Sequence, residues 1–368
     1  MTAPLFQPIT LDGLTFPNRI AIAPMCQYSA DDGSATDWHL QQWMSYAMSG
    51  AGMVTVEMTD VERRGRISHG CLGLYSDHNE QAAKRALDAA KAVACPGTKF
   101  GTQLAHAGRK ASNQKPWEGG GPLKPDQDPW PVVSASAIAY DTGWQVPHAL
   151  TDEDIVRLVE KFGDSARRAE RVGFDFIELH AAHGYLIFQF LSPLSNQRTD
   201  RWGGPLENRM RFAVEIARAV KKAAPGLMLG ARLSVKEWVD GGFDVDEAIE
   251  VAKALKAEGV AYICASSGGN QPHQKLPSGP GYQVHLAEAI RKGADIPTRA
   301  VGLITTPEQA NAVVADGRAD MVALARAFLA DPRWGWRAAA VFGEKIEATP
   351  QLLRSVTTMQ HWMKPAAG

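Results

Sequence analysis

The chain predicts a single (β/α)8 barrel of the TIM type, and three features of its 368 residues carry that expectation. Strand-like and helix-like segments alternate from end to end, which is how a parallel sheet is built from βα units. The strand-like segments number eight, the count at which such a sheet closes on itself. No G-x-G-x-x-G run follows the first of them, so an open dinucleotide-binding sheet is the poorer match.

In chain order the expected strands are Ile20 to Ala23, Met53 to Met58, Lys99 to Ala105, Phe174 to Leu179, Leu227 to Leu233, Ala261 to Ser266, Thr298 to Gly302 and Met321 to Ala325. Thr151 to Val172 places Ile155, Leu158, Val159, Phe162, Ala166 and Ala169 at a helical period beneath a charged face. Thr151 with Asp154 suits a capped start for that helix. Ahead of the first strand, Leu5 to Ile9 and Thr15 to Phe16 flank Asp12-Gly13, a hairpin signal. This N-terminal hairpin, within residues 1–18, is expected to plug the N-terminal mouth of the barrel. Residues 111–149 hold six prolines and three tryptophans with little helical period, so a long ordered excursion after the third strand, a candidate lid, is expected. The tail, residues 348–368, carries Leu352, Leu353, Met359, Trp362 and Met363, too many apolar side chains to stay in water. All of 1–368 reads as one domain.

Composition narrows the partners. Thirty-nine basic against 40 acidic side chains give a net charge of −1, which offers no footprint for nucleic acid or an anionic membrane. A small-molecule partner is expected instead. The four cysteines, Cys26, Cys71, Cys95 and Cys264, form no CxxC pair, so neither a zinc knuckle nor a disulfide framework is indicated and a reducing cytoplasm fits. No basic segment followed by an apolar stretch opens the chain, and no apolar run approaches the roughly 18 residues of a spanning helix.

The chemistry concentrates in HAAHGYL, where His180, His183 and Tyr185 follow directly on the expected fourth strand. Barrel enzymes keep their chemistry at that end of a strand. Two histidines three apart admit a metal site completed by His106 or Cys26, and they also admit two structural imidazoles. Tyr185 beside them favours acid catalysis: imidazole donors hold a carbonyl or nitro oxygen while the phenol delivers a proton.

HAAHGYL, the FLSPLSNQRTDRWGGPLENR that follows, the opening NRIAIAPMCQY and the central QLAHAGRKA together resemble the old yellow enzyme family of FMN-dependent ene-reductases. Cys26 and Tyr28 are similar to its bacterial xenobiotic-reductase and thermophilic-like branch. The resemblance implies non-covalent FMN, reduced by NADPH or NADH docking at the same site. It implies hydride delivery from flavin N5 to an α,β-unsaturated carbonyl, a maleimide or a nitro compound, with His180 and His183 on the activating oxygen and Tyr185 as proton donor. Pro24, Met25 and Cys26 would line one flavin edge, with the Cys26 thiol tuning its potential. Gln103 would bond the pyrimidine, a partner that a buried strand glutamine needs. Arg232 would stand near flavin N1, with a barrel-end ion pair as its alternative. Val301, Gly302, Ala325 and Arg326 would take the phosphate, although the family commonly has glycine where Ala325 stands. Met58 stands where the family usually has alanine, and would either narrow the pocket or point into the core.

Tyr28 and Lys110 resemble substrate-pocket positions. Trp362, with Arg354 as runner-up, resembles the pocket wall that one subunit lends another in a homodimer or homotetramer. Three rivals remain open: a dienoyl-CoA reductase, which would extend into an iron–sulfur segment; a tRNA-modifying flavin barrel, which would want a basic surface; and a flavin-storage protein, which would not need Tyr185.

Overall fold

The computed structural model describes residues 2–362, with side chains as far as Met359. Its eight barrel strands are β1 (Ile20–Ile22), β2 (Met53–Asp60), β3 (Lys99–Ala105), β4 (Phe176–Ala181), β5 (Met228–Ser234), β6 (Val260–Ser266), β7 (Thr298–Ala300) and β8 (Met321–Leu324). The outer helices are α1 (Asp37–Ala47), α2 (Asp77–Ala92), α3 (Asp152–Val172), α4 (Arg211–Ala223), α5 (Val245–Ala257), α6 (Val284–Ala294), α7 (Pro307–Ala315) and α8 (Trp334–Phe342). Every barrel pairing is parallel, and β1 pairs with both β8 and β2, which closes the ring.

Strand ends differ from the sequence expectation where local caps intervene. The fourth strand is expected from Phe174 but begins at Phe176, because Gly173 ends α3 in the left-handed region and the Phe174 amide still caps that helix on Ala169 O at 3.2 Å. Asp175 is then held by Phe100, its carboxylate accepting from the Phe100 amide at 2.8 Å. As a result the strand runs on through Ala181, and His180 lies inside it rather than after it. The seventh strand stops at Ala300, since Gly302 (φ 125°) and Leu303 (φ 51°) turn the chain away. The eighth stops at Leu324 and the second runs on to Asp60. Helix α3 keeps its expected capping box, Thr151 Oγ1 accepting from the Asp154 amide at 3.2 Å.

The hairpin pairs Ile9–Leu11 with Leu14–Phe16, not the segment from Leu5, which sits in a short 3-10 turn begun by Pro4. Positive φ at both Asp12 (44°) and Gly13 (78°) is the signature of a two-residue type I′ turn. Leu11 and Phe16 pack with Met53, Phe176, Met228 and Met321 at the starts of the barrel strands, and so stopper the N-terminal mouth. Above that plug Phe176 and Tyr262 fill the barrel axis, and neighbouring strands make room with glycine. A Cβ on Gly101 would meet the Phe176 ring at 2.2 Å, and one on Gly230 the Tyr262 ring at 2.1 Å.

Polar groups cross the same interior. The Arg299 guanidinium donates to the Glu178 carboxylate with both side chains fully buried. Tyr262 OH and Gln103 Nε2 each donate to the same carboxylate at 2.8 Å.

The excursion is ordered by its aromatic residues. Trp130 Nε1 donates to Arg64 O at 2.9 Å, its indole lies under the Arg66 guanidinium, and Val133–Ser134 pairs with His148–Ala149. The tail forms a helix over Leu353–Trp362, and Leu352, Val356 and Met359 pack on Trp336, Ala339 and Ile346 of their own chain. The Trp362 side chain lies outside the described residues, while Arg354 is exposed.

Breaking a buried ion pair by removing one partner strands the other charge, a cost of about 3–5 kcal/mol. Arg299→Met is expected to lose stability on that scale in urea denaturation at fixed flavin concentration, and Arg299→Met with Glu178→Gln to recover part of it. An unchanged urea midpoint for the single variant would remove the pair from the framework of the barrel.

Candidate active site

The C-terminal ends of the strands converge on one recess. His180, in β4, has the backbone N–H of Ala182 donating to Nδ1 at 3.3 Å, so the neutral ring carries its proton on Nε2. That Nε2 lies 3.3 Å from His183 Nδ1, and His183 Nε2 lies 2.7 Å from Ser266 Oγ at the end of β6. The His183 amide donates to Ser234 Oγ at 2.9 Å, and Ser234 in turn donates to Gly268 O at 2.9 Å. Tyr185 completes the group, its ring 4.8 Å from that of His180 and edge-on to it.

Electrostatics set the protonation of all three. Burial, then Arg232 and Lys110, hold both imidazoles well below the usual histidine range, so they are neutral at physiological pH. Burial pushes the Tyr185 phenol up, with Cys26 and Tyr28 nearby adding to it, so the phenol keeps its proton. The constellation is two neutral imidazoles beside an undissociated acid.

A wall of Met58, Ile67, Cys71, Ala105 and Ala107 faces Cys26, Tyr28 and Tyr185. Met58 is itself buried in this cluster, packed beside Cys26, Tyr28 and Tyr185. Cys26 is half-buried, and burial together with Cys71, Glu57 and Asp60 raises its thiol above the ordinary value. Tyr28 has φ 51° and its ring stands edge-on to Trp117 of the excursion at 5.9 Å. Its segment is pinned by Glu57, which accepts from the Gln27 amide at 2.7 Å and stands 3.0 Å from His39 Nε2. Both carboxyl oxygens of Asp60 are buried without a hydrogen-bond partner among the described residues, and burial raises that group.

On the other side a cavity of about 370 Å³ is lined by His183, Arg232, Tyr282, Val301, Gly302, Ala325 and Arg326, among others. Arg232 has no acidic partner among the described residues and its Nε is buried without an acceptor, so the barrel-end ion pair is not formed. Arg326 likewise forms no ion pair among the described residues, and Gly302, with φ 125°, lets the main chain lie close against Gln283 and Tyr282. Two guanidiniums without acidic partners among the described residues, lining one cavity, suit a phosphate-bearing group.

Several expected residues are placed differently from their sequence reading. Gln103 already has a partner in Glu178, so its burial does not by itself call for a cofactor. His106 does not join His180 and His183; Nδ1 accepts from the Gly108 amide at 2.9 Å and Nε2 stands 3.0 Å from Glu62 Oε1. Lys110 is turned inward, toward backbone carbonyls. Pro24 and Met25 are half-buried between β1 and the Cys26 wall. Ser234 and Ser266 are site residues whose one sequence signal is their place at strand ends, whereas Tyr282, Trp117 and Cys71 sit in loops and carry none.

A family model for NADH:flavin oxidoreductase / NADH oxidase matches residues 4–342. An NADPH dehydrogenase of Listeria innocua is 42% identical over 353 residues, 95% of this chain and 98% of the relative. Morphinone reductase superposes with a TM-score of 0.77 at 27% identity, covering 95% of this chain and 93% of its own. A 2-naphthoyl-CoA reductase superposes with a TM-score of 0.80 at 26% identity over 94% of this chain, which spans about half (53%) of that protein's length.

A thiol held above its ordinary value stays protonated and reacts slowly. Cys26 should therefore alkylate with iodoacetamide at pH 8 far more slowly than free cysteine, read by a mass-spectrometric time course. Labelling as fast as the free amino acid would mean that the thiolate is populated.

Proposed function

The chain belongs to the NADH:flavin oxidoreductase / NADH oxidase family, of the old yellow enzyme type and FMN-dependent with NAD(P)H as reductant, and on that premise we propose that it reduces the activated C=C bond of enones, maleimides or nitroalkenes. The observation that carries this reading is the His180, His183, Tyr185 group, with neutral imidazoles and a protonated phenol at one recess. Bound FMN supplies the two-electron step between the nicotinamide cofactor and the alkene.

The chain's own residues divide the remaining work. Arg232 would offer a positive charge to the flavin ring. Val301, Gly302, Ala325 and Arg326 would hold the phosphate, while Pro24, Met25, Cys26, Met58 and Gln103 would stand on the ring side. His180 and His183 bind the oxygen that activates the alkene. For both imidazoles to donate to one oxygen, His183 must carry its proton on Nδ1, and Ser266 Oγ, 2.7 Å from Nε2, then donates to that nitrogen. The Ser266 hydroxyl, able to donate or accept, is compatible with that tautomer, on which two-point binding depends. Charge that builds on the oxygen in the transition state meets two preorganised donors, which lowers the barrier more than it tightens ground-state binding. Tyr185 gives its proton to the α-carbon, and Tyr28 forms the outer wall.

A thioester-activated substrate is the second reading, favoured by the likeness to the 2-naphthoyl-CoA reductase. Comparing cyclohexenone with an unsaturated acyl-CoA under steady-state conditions separates the two. A tRNA-modifying role is disfavoured by the net charge of −1.

His180→Ala and His183→Ala are each expected to weaken p-hydroxybenzaldehyde binding, followed by its long-wavelength band with the flavin, far more than they weaken FMN retention. Titrations that match wild type would refute the donor role. Tyr185→Phe should slow enone reduction by about 10²- to 10⁴-fold, the usual worth of a general acid, with flavin reduction by NADPH nearly unchanged. Stopped-flow traces of the two half-reactions decide it, since equal slowing of both would indicate a structural defect.

A further inference from the structure

Lys110 closes the short turn Gly108–Lys110 after β3. Nζ donates to His183 O at 2.9 Å and to Gly269 O at 2.8 Å. The rings of Tyr140 and Tyr185 flank the same nitrogen, with centroids at 4.8 and 5.1 Å. Two of its three N–H donors are therefore committed to main chain, and aromatic faces enclose the rest.

Both acceptors sit on crowded backbone. His183 has φ 57°, a left-handed conformation that costs a non-glycine residue about 1–3 kcal/mol unless its surroundings impose it. Its turn lies directly against the loop after β6: a Cβ on Gly269 would meet His183 Cα at 2.5 Å, and one on Gly184 would meet Asn270 Cα at 2.4 Å. Close approach of the two main chains brings two carbonyl dipoles onto one point. Their mutual repulsion is relieved by a donor between them, and Lys110 is that donor. The neighbouring Arg109 fixes the far side of the same loop, donating to Asn270 O at 2.7 Å and to Asn270 Oδ1 at 3.0 Å.

We infer that Lys110 is a positioning residue which, by clamping the His183 turn to the Gly269 loop, fixes where the His183 imidazole and the Tyr185 phenol stand. It acts through those groups, not by touching the substrate. The inference rests on the reductase reading above. Cationic character at the clamp is not essential to it: burial and Arg109 lower the Lys110 amine to about 7, and the neutral amine still has donors for both carbonyls.

The test uses the FMN-loaded enzyme with Lys110→Met, which removes the donors, and Gly269→Ala, which forces a methyl against His183 Cα and changes no charge. Each is expected to weaken p-hydroxybenzaldehyde binding and slow enone reduction by about tenfold to a hundredfold, the cost of a small misplacement of catalytic groups. Reduction of the flavin by NADPH should suffer less. Because both changes displace the same turn, the double variant should fall short of the product of the single effects. Lys110→Arg, which keeps donors for the carbonyls, should recover part of the phenol affinity. Fully multiplicative effects of Lys110→Met and Gly269→Ala, wild-type behaviour of Lys110→Met, or no recovery in Lys110→Arg would overturn the inference. A wild-type enzyme that neither binds the phenol nor reduces an enone would instead overturn the reductase reading itself.

Discussion

The site depends on one close contact, the backbone of the His183 turn lying on the backbone of the Gly269 loop. Two glycines make it possible, since a methyl group at Gly184 or Gly269 would enter the opposing main chain. Barrel closure brings β4, β5 and β6 side by side, with Arg232 in register with His180 on one side and Cys264 on the other. The loops after adjacent parallel strands must then share the space above them. Here they share it so tightly that Ser234, Ser266 and Lys110 all reach His183 from different strands. A histidine held from three directions has little rotational freedom to lose when it binds an oxygen.

That contact also explains the charge distribution. Arg232 and Arg326 line the recess and Lys110 lies behind the His183 turn, while Glu178 and Arg299 pair with one another in the barrel interior. The net positive field, together with burial, keeps the two imidazoles uncharged and leaves their N–H groups available. On the Cys26 side burial, with neighbouring acidic groups adding to it, keeps the thiol and the Tyr185 phenol protonated. The recess is thus divided into a cationic half suited to a phosphate and an anionic ring, and a half whose acids retain their protons.

The excursion and the tail show two ways of disposing of apolar residues outside the barrel. Trp130 is bound inward by Arg64, Arg66 and His69, and so fixes the excursion over the β2 loop. Trp117 stays 66% exposed against Tyr28, which keeps an aromatic edge at the mouth. The tail helix covers Trp336 and Ile346 near the opposite end of the barrel.

By itself the sequence determined the barrel, because short apolar segments buried on both faces alternate with amphipathic helices that cover them. It also determined the group His180, His183 and Tyr185, since residues so close in sequence after a buried strand have few places to go. The Asp12-Gly13 turn was equally legible, the two residues being suited to positive φ. Strand ends were not: Phe174 looked like strand, but the αL cap at Gly173 claimed it. Nor were partners contributed from distant strands. Glu178 for Gln103, Ser266 for His183, and two carbonyls for Lys110 are separated by 75, 83 and up to 159 positions. Only tertiary structure decided these, because a hydrogen bond between strands depends on register and barrel closure, and neither leaves a local trace in the order of residues.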